Sequence, residues 1–126
     1  MSAVDLQRNV KPILHPGEYV FCLVTDYHSI PFNQILFYFK EEEGYTIVLL
    51  KNIADGLRLD YTYIAAWITL SITTSLEMVG FTAVFSTALA KAGIGCNVVA
   101  AHQHDHIFVN YLDGTRAMVV LSALIA

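Results

Sequence analysis

Three histidines crowd into one short stretch, His102-Gln103-His104-Asp105-His106, and imidazole with carboxylate is the usual ligand set for zinc, nickel or copper. Residues at i, i+2 and i+4 share a face only where the backbone stays extended, and Asp105 in the middle carries turn chemistry that splays them. A structural metal site also recruits four convergent ligands. The expectation is therefore a polar hairpin tip without a metal. Zinc at His102, His104 and His106, with Cys96 as a conceivable fourth ligand, is the alternative.

Cys22 and Cys96 are the other side chains that could react. A cysteine nucleophile needs a thiolate, and thiolates arise at helix N-termini or beside cations. Each cysteine stands instead in an apolar stretch, where burial raises the thiol pKa, so no catalytic residue is assigned and no enzymatic activity is expected. Two buried thiols suit a reducing compartment, and the cytoplasm is the expected location. No G-x-S-x-G, P-loop or G-x-G-x-x-G pattern occurs. Gly93-Ile94-Gly95 follows a helix, the wrong end for cradling phosphate, and no cofactor is expected.

The segment from Ser71 to Gly80 is different, because it joins a strand to a helix and so gathers backbone N–H groups at a positive dipole end, which suits a carboxylate. Thr74 and Glu77 form a T-x-x-E capping box that starts a helix running from Glu77 to Ala92. Gly80 then falls inside the first turn, at a cost of roughly 1 kcal/mol against alanine. Either a ligand or a packed strand approaching the backbone would account for it.

The elements that must position these groups follow from periodicity and punctuation. Glu18 to Thr25, after the Pro16-Gly17 turn, reads as a buried strand, and Tyr45 to Leu50 as a second. Between them a helix is expected from the start signal at Ser29 and Pro31 to Gly44, with Phe32, Ile35, Leu36 and Phe39 on one face and Glu41, Glu42 and Glu43 in its last turn. Asn52 to Gly56 looks like one short helical turn. Tyr63 to Ser71 reads as a third strand. Met78, Phe81, Phe85, Ala88, Leu89 and Ala92 form the apolar stripe of the helix after it, which Gly93 or Gly95 closes. Strands at Cys96 to Ala101 and His106 to Tyr111 flank the histidine cluster, and Asp113 to Ala126 closes the chain as an apolar helix.

Strand–helix–strand therefore occurs twice. So short an alternation implies an α+β, ferredoxin-like antiparallel sheet with helices on one face, in two halves at 1–60 and 61–126. Hydrophobic residues make up 56% of the 126 and charged residues 14%, which excludes disorder and favours a homo-oligomer. No uninterrupted apolar run approaches the roughly 20 residues of a membrane span, and the N-terminus lacks the pattern of a signal peptide. The 11 acidic and 7 basic residues are scattered, so neither a membrane nor nucleic acid is an expected partner.

Several blocks resemble ACT-like regulatory domains: Trp67-Ile-Thr-Leu-Ser71, Ser75-Leu-Glu-Met-Val-Gly-Phe-Thr82, Ala88-Leu-Ala90, Gly93-Ile-Gly-Cys-Asn-Val-Val99 and His104-Asp-His-Ile-Phe-Val109. Pro16-Gly-Glu-Tyr-Val-Phe21 and Glu43-Gly-Tyr-Thr46 extend the likeness over nearly the whole chain. The pattern is similar to a small bacterial family of stand-alone proteins that pair a divergent N-terminal ACT-like half with a clearer C-terminal one, and to the regulatory domains of aspartate kinases. The resemblance implies βαββαβ units that pair edge to edge and bind amino acids between a strand-to-helix loop and a neighbouring strand. Carried onto this chain, the ligand-binding residues would be Thr74, Ser75, Glu77, Met78, Val79, Gly80 and Asn97. An interaction module without a ligand is the alternative. An ACT unit also needs a final strand, for which Val10 to Leu14 or a partner chain is the expected source.

Overall fold

The computed structural model describes residues 11–71 and 79–124. Two compact units divide them: residues 17–65 form a central unit, and residues 11–16 with 66–124 form a flanking unit.

The central unit is an antiparallel sheet of β2 (Tyr19–Val24), β3 (Phe37–Lys40) and β4 (Tyr45–Leu50), joined by the first residues of β5 (Ile64–Leu70). The spatial order is β3-β4-β2-β5. β2 runs against β4 from Tyr19 opposite Leu50 to Val24 opposite Tyr45, and against β5 at Tyr19–Ala65 and Val20–Ile64. Alternation sends Val20, Cys22, Ile47 and Leu49 into one core with Ile30 and with Ala54 of the short helix α1 (Lys51–Gly56).

The helix expected up to Gly44 is replaced by one 3-10 turn at Phe32–Gln34 and by β3. Phe32 and Phe39 are both about two-thirds exposed, at 68% and 67%, so the four residues at helical spacing do not share a buried face. Phe37, Tyr38 and Phe39 favour a pleated surface, and β4 offers them a ladder from Phe37 opposite Val48 to Lys40 opposite Tyr45. Glu41, Glu42 and Glu43 consequently occupy a hairpin turn, in which the Glu41 N–H donates to the Gly44 carbonyl at 2.8 Å. Gly44 adopts φ +150°, and a Cβ there would stand 2.5 Å from the Val24 carbonyl oxygen. Glycine is demanded by this turn, not by a helix end.

The flanking unit contains β1 (Pro12–Leu14), most of β5, α2 (Phe81–Lys91), β6 (Asn97–Ala100), β7 (Asp105–Asn110) and α3 (Gly114–Ala123). β1 and β7 both neighbour β5, and β6 pairs with β7. The strand missing from the C-terminal pattern is thus supplied by the chain's own early segment: Pro12 lies opposite Leu70 and Leu14 opposite Ile68, antiparallel. Ala66, Ile68 and Leu70 of β5, with Ile107 and Val109 of β7, pack against Phe81, Phe85 and Leu89 of α2 and Ala117 and Leu121 of α3. The Arg116 guanidinium ties α3 to the end of α2 by donating to the Ala92 carbonyl at 2.5 Å and to the Asp113 carboxylate at 3.1 Å. Among the described residues, no helix is long and apolar enough to cross a membrane.

The helix expected from Glu77 begins later. Val79 is not helical, Gly80 is the N-cap with φ +91°, and α2 starts at Phe81. A left-handed residue at the cap stops the helix from extending backwards, so Gly80 enables a sharp entry and does not sit within a turn.

Candidate functional site

Two places in the flanking unit bring polar chemistry together. The first is the entry to α2. Glycine at the cap brings no side chain to accept from the first-turn N–H groups, and that turn holds no acidic residue. Backbone donors and a positive dipole end gather here, an arrangement that suits an anion. Val79 beside it is 85% exposed. Of the other predicted ligand residues, Thr74, Ser75, Glu77 and Met78 lie outside the described residues, so their capping box is not placed. Asn97 opens β6 opposite Phe108, and its side-chain amide reaches the Phe108 carbonyl only at 3.5 Å. That bond is long enough to leave the amide able to serve another acceptor.

The second place is the helix-free face of β5. Because Ala66, Ile68 and Leu70 point to the helices, Trp67 and Thr69 point the other way. They meet His106 of β7 and His15, which follows β1. The Trp67 indole N–H donates to His106 Nδ1 at 3.1 Å, and an indole can only donate, so Nδ1 is unprotonated and its hydrogen sits on Nε2. Thr69 Oγ1 lies 2.9 Å from the same nitrogen and also donates to it, which leaves its lone pairs for the His15 Nε2–H at 2.7 Å. The His15 ring stacks on Trp67 with centroids 3.6 Å apart and planes inclined by 19°. One consistent chain of donors thus runs from His15 through Thr69 to His106.

Burial pushes the His106 imidazole below its ordinary pKa, and the neighbouring His104 and His15 rings push it further; burial alone lowers His15. Asp105, almost fully buried on the helical side, is pushed up by the same desolvation. The three clustered histidines therefore part company. His106 turns into the sheet-face network, His102 and His104 belong to the β6–β7 turn, and that turn closes through the Ala101 N–H on the His104 carbonyl. Among the described residues, no three histidine, cysteine or acidic side chains are placed to share a metal.

Cys22 is buried and Cys96 half-buried, both as free thiols. Burial raises both, with the Asp60 carboxylate adding to the effect at Cys22, and Cys96 reaches about 11. Neither has the character of a nucleophile. Sequence reasoning missed His15, Trp67 and Thr69 as partners of His106. The available signal was the alternation in β5, where a tryptophan and a threonine interleave with Ala66, Ile68 and Leu70.

Comparison with known proteins places the fold. Residues 4–66 match one family model described as an ACT domain, and residues 63–123 match another. A Vibrio cholerae protein of unknown function, described as a possible transport protein, is 36% identical over 98% of this chain and 95% of its own, with a TM-score of 0.87. An Agrobacterium tumefaciens protein shares the fold at 18% identity, covering 92% of this chain and 89% of its own with a TM-score of 0.71. A Porphyromonas gingivalis protein assigned as a C-terminal regulatory domain of aspartate kinase does so at 14% identity, 92% and 96% coverage and a TM-score of 0.60. No curated protein matches the chain. With ACT-domain matches running from residue 4 to residue 123, the ferredoxin-like arrangement of both units and a relative at 36% identity, the chain belongs to the ACT-domain family.

Proposed function

We propose that this protein is a non-catalytic regulatory module that binds an amino acid, or a small ligand with the same carboxylate, at the connection between β5 and α2. The observation that carries the reading is Gly80 in a left-handed conformation at the cap of α2, where the cap residue itself offers the first-turn N–H groups no side-chain acceptor. Thr74, Ser75, Glu77, Met78, Val79 and Gly80 would line the loop, with Glu77 and the loop backbone holding the ligand's charged ends. Asn97 would add a side-chain amide from β6. ACT domains are regulatory, ligand-binding modules, which agrees with this use of the loop. A homo-oligomer working in the cytoplasm completes the proposal, since ligands of such modules act through the interfaces between copies.

The test is a thermal-shift screen of the full chain against the standard amino acids. A ligand present at about 100 times its Kd stabilises the native state by about 2.7 kcal/mol, a shift of several degrees for a chain this size. At least one amino acid is expected to raise the melting temperature, and Gly80→Ala is expected to weaken that rise. No shift with any of them at about 5 mM would sink the proposal.

A further inference from the structure

β1 is only three residues long, and two of them, Ile13 and Leu14, are 47% and 37% exposed. So short and poorly covered a strand has little burial to hold it on β5. The backbone contributes the His15 N–H to the Trp67 carbonyl at 2.9 Å and the Ser71 N–H to the Lys11 carbonyl at 2.9 Å. What fastens its end is the His15 side chain, stacked on Trp67 and hydrogen-bonded to Thr69.

We infer that His15, Thr69, His106 and Trp67 form a proton-sensitive latch, which holds β1 on β5 while His106 is neutral and releases it when His106 Nδ1 takes a proton. In the neutral state Nδ1 accepts from two donors, Trp67 N–H and Thr69 O–H. A proton there turns the acceptor into a third donor. The indole has no lone pair with which to adapt, and Thr69 can accept from the imidazolium only by turning its own hydrogen away. A proton on His15 is less consequential, because its Nε2–H bond to Thr69 persists and a cation stacks favourably on indole. His106 is therefore the switch.

The charged and titratable surroundings reinforce it. By strand alternation Lys11 and His15 share this face from β1, β5 contributes no charge, and β6 presents Asn97 and Val99. The β6–β7 turn brings His104, whose ring disfavours a charged His106. Asp105 alternates to the opposite face; Asp113 immediately precedes α3 and Arg116 lies within it, and α3 packs on that other side through Gly114 against Ala66 and Leu14. Among the described residues, no carboxylate stands ready to neutralise an imidazolium at position 106. Protonation therefore comes at the expense of the latch, and release leaves the edge of β5 from Ile68 to Leu70 unpaired.

Native-state hydrogen exchange on the full chain tests this, with rates at about pH 7.5 and about pH 5 corrected for their intrinsic difference. Protection of the His15 amide is expected to be lost as pH falls through the titration of His106, because the latched state excludes the proton that the released state takes up. Amides of the β2–β4 ladder keep theirs. His106→Asn, whose side-chain oxygen accepts from Trp67 but does not titrate, is expected to flatten the dependence. Flat protection of His15 in the unsubstituted protein, or an undiminished pH dependence in H106N, overturns the latch. If H106N does not fold, the unsubstituted protein still decides: the NMR titration of the His106 ring must coincide with the loss of β1 protection, and a mismatch refutes the inference.

Discussion

Substituting Gly44 separates a hairpin from a helix end at the place where sequence and structure part. At a left-handed helix terminus asparagine replaces glycine with little cost, because its side chain bonds locally and tolerates positive φ. In the β3–β4 turn the difficulty is different. Any Cβ on Gly44 would sit 2.5 Å from the Val24 carbonyl oxygen and 3.3 Å from its carbon, and both obstacles are backbone. Relief requires β2 or the turn to move by roughly 0.9 Å to reach ordinary contact, which displaces ladder pairs at Val24–Tyr45 and Lys40–Tyr45 together. Backbone strain at such a φ contributes about 1 to 2 kcal/mol and the displacement a similar amount, so Gly44→Ala and Gly44→Asn should each cost about 3 kcal/mol. For a chain of 126 residues this is roughly 10 °C in melting temperature, readable by circular dichroism alongside urea unfolding. Should Gly44→Asn melt within about 2 °C of the original protein while Gly44→Ala falls, the turn geometry argued above is wrong.

Gly56, in α1, has open space around its missing Cβ and an ordinary φ, so Gly56→Ala should stabilise the protein by about 0.5 to 1 kcal/mol in the same unfolding assay. Asp105 has its carboxyl raised by burial, so the folded state prefers the protonated acid and ionisation opposes folding as pH rises through that higher value. Asp105→Asn should accordingly raise the urea midpoint at neutral pH and lose the advantage in acid, below the ordinary carboxylate range. His106, shifted the opposite way, gives stability that is whole above about pH 6.5 and declines as pH falls towards its lowered value. With its thiol near 11, Cys96 should react with iodoacetamide at about pH 8 at least about a hundredfold more slowly than free cysteine, as peptide mass spectrometry would measure.

Much of the fold was legible where one local pattern had one reading. Tyr45–Leu50 is a strand with the expected bounds, Ile64–Leu70 and the β6–β7 hairpin fall where β-branched runs and turn residues put them, and Phe81, Phe85 and Leu89 bury the stripe that their spacing foretold. β3 was not legible, because Phe32, Ile35, Leu36 and Phe39 satisfy the helical period by accident of a turn followed by an edge strand. The onset of α2 was misplaced for a related reason. T-x-x-E is a local signal, whereas the chain enters the helix through the left-handed Gly80. The network around His106 was beyond sequence reading in a stronger sense. His15 and Thr69 lie 54 positions apart and Thr69 and His106 lie 37 apart, so only strand pairing brings them together.

That separation bears on how the molecule is made. β1 leaves the ribosome long before β5, and its partners Ile68 to Leu70 emerge only after the whole central unit has been synthesised. The central unit can meanwhile close its β3–β4 hairpin, which is local in sequence, while the first strand waits unpaired. Closing β1 onto β5 is then the non-local step that should limit the folding rate of the flanking unit. A circular permutant that moves residues 11–16 behind α3 would have to bridge a different gap, and its refolding rate would report how much of the barrier lies in that single closure.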